Sequence, residues 1–165
     1  MTSALRLREF LTARGVPYGV IFHPRCETAL QTAEIEHIPS SRFLKVVMVK
    51  VKGENAMFAI PSDRVLDMLK LSSAFGTKDI QVEEEGEFSS LFPDCEIGAM
   101  PPFGFLYVLP CYMDKVLKDE EEVFFNAGCH KETMKMTLKD YLRSAEVKIG
   151  DYSVPKKSLG TSLRG

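Results

Sequence analysis

Apolar residues along the chain switch between two periods, and the switches mark the elements. Leu7, Phe10, Leu11 and Arg14 recur at helical spacing and Gly15 with Pro17 supplies a stop, which predicts a helix over 3–14. "YGVIF" reads as a short strand. "TALQTAEIEH" (28–37) reads as a second helix, with Thr28 as its N-cap and Pro39 just beyond its end. "FLKVVMVKV" (43–51) and "AMFAI" (56–60) flank a "KGEN" turn and predict a hairpin. Ser62, Val65, Leu66 and Leu69 predict a third helix, extended through "SSAFG" until Gly76 breaks it.

Beyond Gly76 the pattern is mostly that of strands. "DIQV" is a weak one, and "EFSSLF" is one or two helical turns ended by Pro93. "CEI", "FLYVL", "YMDKV", "EVFFNAG" and "TMKMTL" follow as strands, and "TLKDYLRSA", with Thr137 three residues before Asp140, is the last long helix. Strands and helices intermix without a regular βαβ repeat, so the expected fold is α+β: one domain, a mixed, mostly antiparallel sheet flanked by helices. The domain is expected over 1–152, with 153–165, small and polar, as a flexible tail.

Two features depart from this plain pattern. Lys45 lies in a row with Phe43, Val47, Val49 and Val51 on a strand that is apolar on both faces, the mark of an interior strand. An ammonium there snorkels to the rim, pairs with a carboxylate, or faces a cleft where an anion neutralises it. With an ordinary pKa near ~10.4 it is a poor base and a good fixed positive charge, for which phosphate is the natural partner. The second feature is "CEIGAMPPFGFLYVL" (95–109), which sets Gly98, Pro101, Pro102 and Gly104 close together. Such a cluster reads either as a stiff turn between strands or as a rigid loop of defined shape that holds something.

Composition narrows the function. At 165 residues, 45% hydrophobic and 27% charged, the chain is sized for one globular core. No apolar run approaches the ~20 residues of a membrane span, and the charged start is unlike a signal peptide, so the cytoplasm is expected and a membrane is not. A net charge of −2 removes the basic field of a general nucleic-acid binder, and no DNA partner is expected. Cys26, Cys95, Cys111 and Cys129 form no C-x-x-C and read as reduced core thiols. The acidic runs 83–87 and 119–122 read as solvated turns, and the methionines as core filling.

Taken in order, "FLKVVMVK", "CEIGAMPPFG", "FLYVLPCYMD", "FFNAG" and "TMKMTLKDYL" resemble the YbaK/prolyl-tRNA-synthetase-associated editing domain family over about residues 17 to 146. The resemblance implies hydrolysis of the ester of a mischarged tRNA, of the prolyl type, with no metal and no cofactor. It implies a catalytic role for Lys45, which meets the backbone of the terminal adenosine, and for Gly98 of a Gly-x-x-x-Pro loop lying against the aminoacyl group. Ala99, Met100, Pro101, Pro102, Phe103 and Gly104 are implied as substrate-binding residues of that loop, and Asn126, Gly128 and His130 as lining residues of the turn that closes the pocket. The attacking water is oriented by the free ribose hydroxyl, which leaves the protein positioning and electrostatic stabilisation. The implied partners are the 3′ aminoacyl-adenosine end of a mischarged tRNA and an aminoacyl-tRNA synthetase. Met100 beside the prolines gives a different pocket floor from a small residue, so the amino acid removed stays open.

The same residues also suit a non-catalytic module that binds an aminoacyl-tRNA end or an aminoacyl-adenylate-like molecule, or a structural protein that keeps only the fold. His23 in "FHPRCE" reads as a turn cap or a group near the cleft. Cys129 and His130, as sequence neighbours on an extended stretch, point to opposite faces and do not make a thiolate–imidazole pair.

Overall fold

The computed structural model describes residues 4–156. Helix α1 (Leu5–Arg14) ends on Gly15 in the left-handed region (φ 66), and strand β1 (Gly19–Phe22) follows. Helix α2 (Ala29–Ile35) starts in a reciprocal box: the Thr28 hydroxyl accepts from the Gln31 N–H and the Gln31 side chain accepts from the Thr28 N–H. The predicted hairpin is β2 (Phe43–Val51) with β3 (Glu54–Pro61).

The third helix starts later than its pattern suggests. Arg64–Leu66 is a strand, β4, and α3 (Met68–Phe75) is capped by the Asp67 carboxylate, which accepts from the Leu69 and Lys70 N–H groups. Ser62 instead donates its hydroxyl to the Ser40 carbonyl. Strand β5 (Ile80–Val82), the single turn α4 (Glu85–Phe88), β6 (Cys111–Asp114), β7 (Glu122–Asn126), β8 (Glu132–Thr137) and α5 (Leu138–Ala145) complete the predicted set, except that the expected strand 112–116 stops at Asp114, whose carboxylate caps a 3-10 helix, Lys115–Asp119.

Three further expectations are corrected. Residues 95–97 form no strand, and the predicted strand 105–109 is a 3-10 helix, Gly104–Tyr107, closed by Val108 at φ 58. The reason is at Gly104, where an added Cβ would stand 2.7 Å from the Leu109 carbonyl oxygen: the chain folds back on itself there and cannot extend. The third correction is at the C-terminal side. Strands β9 (Lys148–Gly150) and β10 (Ser153–Pro155) continue the fold, so the expected tail begins with three residues paired to β4; the rest of it, 157–165, lies outside the described residues.

Seven strands run in the order β1-β8-β7-β2-β3-β6-β9, with β5 added beside β2, and β10-β4 forms a separate pair. The β1/β8, β7/β8, β2/β3, β2/β5 and β4/β10 pairs are antiparallel; β2/β7, β3/β6 and β6/β9 are parallel. The mixed, mostly antiparallel α+β expectation therefore holds. One face of the sheet, with Leu44, Ala59, Met113, Phe125 and Met134, packs against α1, α5 and the loop residue Phe103. On the other, Phe43 and Phe124 pack under α2, and Val49 and Phe58 under α3.

Candidate functional site

Strand β2 is paired from Leu44 to Val51 on one edge, by β3. Its other edge is shared: β7 pairs only with Phe43 and Leu44, and β5 only with Val49 to Val51. Residues 45–48 lie between, with no strand on that edge among the described residues. The Met48 carbonyl on this edge accepts from the Glu83 N–H. Because backbone groups alternate from edge to edge along a strand, the Val46 N–H and C=O also point to this gap, where the ladder provides no partner.

A cavity of about 260 Å³ opens at the gap, lined by Lys45, Val46, Met48, Gly98, Met100, Asn126, Glu85 and neighbours. It draws on both faces of the sheet. Lys45 comes from the α2 side, and Met100, packed with Met48 and Met57, from the other. The site lies beyond the carboxyl ends of the β2/β7 parallel pairing, a place where diverging strands commonly leave a ligand crevice.

Lys45 is half-buried. Burial, and secondarily the Lys156 ammonium, hold its pKa below the ordinary lysine value, while Asp63 opposes them. Lys45 lines the cavity, and of the sequence alternatives the carboxylate pair is not formed: no ion pair is made by it among the described residues.

Gly98 adopts φ 85, a left-handed conformation that costs a side-chain-bearing residue strain. The loop around it is fixed by an exchange with the 126–130 turn. Glu96 N–H donates to Gly128 O (2.8 Å), Gly128 N–H to Ala99 O (2.9 Å), and His130 N–H to Glu96 Oε1 (2.9 Å). Arg25 adds an ion pair to the same carboxylate at 3.2 Å. Burial pushes the Glu96 carboxyl up, but the His130 N–H and Arg25 outweigh it and leave the pKa below the ordinary value. His130 Nε2 is 2.7 Å from the Ile97 carbonyl, which can only accept, so Nε2 carries the proton.

The prolines are anchored from behind. The buried Tyr141 hydroxyl donates to the Pro102 carbonyl at 2.8 Å, and Phe103 packs against Tyr141 and Phe125 with ring centroids 5.3 and 5.7 Å away.

Of the residues expected to form the site, Lys45, Gly98, Met100 and Asn126 come together on the cavity wall. Ala99, Pro101, Pro102, Phe103 and Gly104 are buried behind it and carry the loop. His130 also stands behind, its ring 3.5 Å from where a Gly98 Cβ would be, and Gly128 packs against Ala4, too closely for any side chain. Sequence reasoning missed the apolar walls Val46, Met48 and Phe88 and the carboxylates Glu27, Glu83 and Glu85. In the "EEEGE" run, expected as solvated surface, residues 84–87 are exposed as expected and Glu83 is buried; the exposed Glu85 also borders the cavity. His23 is not on that wall; its Nδ1 donates to the Pro24 carbonyl at 2.7 Å, the turn role its sequence context suggested.

Among the described residues no cysteine lines this cavity. Burial pushes the Cys95 thiol up to about 12 and the Cys111 thiol up to about 11, and raises that of the buried Cys129 as well.

Comparison with known proteins agrees with this architecture. The chain is 26% identical over 152 residues to the multifunctional Ser/Thr-tRNA deacylase ProXp-y of Escherichia coli K12, covering 89% of this chain and 90% of that protein. It is 30% identical over 96 residues to a proline–tRNA ligase of Staphylococcus epidermidis, covering 58% of this chain and 17% of the ligase. A crystal structure described as a candidate trans-editing enzyme for prolyl tRNA synthetase shares the fold, with a TM-score of 0.80, 23% identity, and coverage of 93% of this chain and 98% of that one. Residues 23–144 match the aminoacyl-tRNA editing domain, and the chain belongs to that family.

Proposed function

We propose that the protein is a trans-editing deacylase that hydrolyses the ester of a mischarged tRNA of the prolyl type, acting in the cytoplasm. The observation that carries this reading is the meeting of Lys45 and Gly98 on one cavity at the open edge of β2. Water attacks the ester carbonyl, the acyl C–O bond breaks, and the terminal ribose hydroxyl leaves with a proton as the amino acid is released. Lys45 supplies a fixed positive charge for the phosphate and the charge that builds up on the ester, and the Gly98 loop supplies a close, stationary wall.

Membership of the editing-domain family and similarity to a tRNA deacylase support hydrolysis of a mischarged tRNA. The likeness to part of a proline–tRNA ligase supports the prolyl type and a synthetase as docking partner. The acidic balance of the chain limits contact to the 3′ end, so tRNA binding is weak. The test is hydrolysis of seryl-, threonyl-, alanyl- and cysteinyl-tRNAs, each on tRNA(Pro) and on its cognate tRNA, by the wild type and by Lys45→Ala. Selective hydrolysis by the wild type that the folded variant lacks is expected. Equal hydrolysis by both proteins, or none of any substrate by the wild type, overturns the reading.

A further inference from the structure

The three carboxylates around the cavity differ in what already holds them. Glu27 is taken by Arg25, whose Nε donates to it at 2.8 Å. Glu83 is buried and, with the Asn55 amide oriented to satisfy both its ends, accepts from Asn55 at 2.7 and 3.0 Å. Glu85 makes no hydrogen bond or ion pair through its carboxylate among the described residues. Its Oε2 hangs over the loop, 3.0 Å from where a Gly98 Cβ would stand.

A second, independent observation points to a ligand at the same place. Asn126 is only 6% exposed, lines the same cavity, and has its Oδ1 without any partner. The Val46 carbonyl is a further acceptor, turned to the open edge of β2. Buried acceptors are normally satisfied, and among the described residues that line the cavity Asn126 carries the one buried side-chain acceptor that is not. The cavity thus combines a half-buried cation without an ion pair, Lys45, with an exposed carboxylate without a protein partner, Glu85, and the acceptors Asn126 Oδ1 and Val46 O. Its complement is a ligand bearing both an anionic group and a cationic donor. An aminoacyl ester of a nucleotide is such a ligand: phosphate at one end, and an α-ammonium with three N–H donors at the other.

We infer that Glu85, with the Val46 carbonyl and the Asn126 amide, receives the free α-ammonium group of the substrate, so that the cavity selects aminoacyl esters and rejects N-acylated ones. This rests on the deacylase reading for the identity of the ester, but its test does not need hydrolysis. Acylation removes the charge and two of the three donors. The protein therefore spares peptidyl- and other N-blocked tRNAs by the chemistry of its wall.

The probes are 3′-deoxy-3′-(L-alanylamino)adenosine 5′-phosphate, whose amide is not hydrolysed as an ester is, and its N-acetyl counterpart, with affinities measured by calorimetry. Wild type is expected to prefer the free amine by about tenfold or more, the worth of one charge-assisted hydrogen bond. Glu85→Gln is expected to bind the two probes alike, while Lys45→Met weakens both and keeps the preference. Equal binding of the probes by wild type, an undiminished preference in Glu85→Gln, or no binding of either probe overturns the assignment. An amine preference in a protein that hydrolyses no aminoacyl-tRNA leaves the assignment standing and removes the deacylase reading.

Discussion

Lys45 and Asn126 stand at matching positions of two parallel strands, each the first residue past the last pair, Leu44 with Phe125, and on the same face of the sheet. Their strands part there, so one gap in the ladder gives both side chains the same cavity. Replacing the amide by an apolar group of similar shape separates its two roles. Asn126→Leu is expected to keep or raise stability by up to about 1 kcal/mol, since an unpaired buried oxygen is removed, while kcat/KM falls at least about tenfold. Urea unfolding and steady-state deacylation measure the two effects; a large loss of stability would assign Asn126 to the framework instead.

Lys45 is held in a place that suits its function better than its charge. Its folded-state pKa lies below the ordinary lysine value, chiefly through burial. Between the folded and unfolded values the unfolded chain binds more protons, so this group makes stability rise with pH in that window, below about 10.4. Lys45→Met is expected to abolish deacylation, to raise the melting temperature at pH 7 by about 2–4 °C or less, and to flatten the rise towards alkaline pH. Melting curves across pH 7 to 10 check it.

At Gly98 the backbone conformation, more than space, excludes a side chain. A Cβ would meet the Glu85 carboxylate at 3.0 Å, the movable end of a side chain, but φ 85 remains. Gly98→Ala is expected to cost about 1–2 kcal/mol and to lower kcat at least about tenfold, because the loop relaxes away from the ester. Denaturation and single-turnover rates are the measurements, and an unchanged kcat would remove the loop backbone from the mechanism.

The loop has its anchor at Tyr141. Tyr141→Phe leaves the Pro102 carbonyl with only the Cys111 thiol, 3.8 Å away. A stability loss of about 1–3 kcal/mol is expected, together with a lower kcat, although Tyr141 lies outside the cavity.

Thiol labelling tests the absence of a cysteine nucleophile. With burial pushing the Cys95 thiol up to about 12 and the Cys111 thiol up to about 11, iodoacetamide at pH 8 is expected to leave both intact in the native protein and to modify them in urea, as peptide mass spectrometry will report. Native treatment should leave deacylation unchanged.

How far the sequence could lead differs from residue to residue. Lys45 was visible because a charge in a row of valines breaks a period-two pattern, and the hairpin 43–61 because its pattern and turn agree. Thr28 and Gly76 were visible as caps, where local chemistry decides the outcome. Phe105 to Leu109 misled because a short apolar run looks alike in a strand and in a buried 3-10 turn. The deciding contact, Gly104 against the Leu109 carbonyl, is one of packing. Val65 and Leu66 misled for a related reason: their partners, Val154 and Ser153, arrive from the far end of the chain. Glu85 was hidden by its neighbours, since an acidic run signals solvent unless the fold brings a loop beneath it.

The pairing of β10 with β4 has an effect beyond closing the fold. It ends beside Lys156, whose charge bears on Lys45 from the far end of the chain. The last strand is therefore an electrostatic setting on the lysine of the cavity, as well as a seam. A fragment cut at residue 152, where the sequence suggested the domain would finish, would lose the Lys156 charge, and its Lys45 would hold its proton harder.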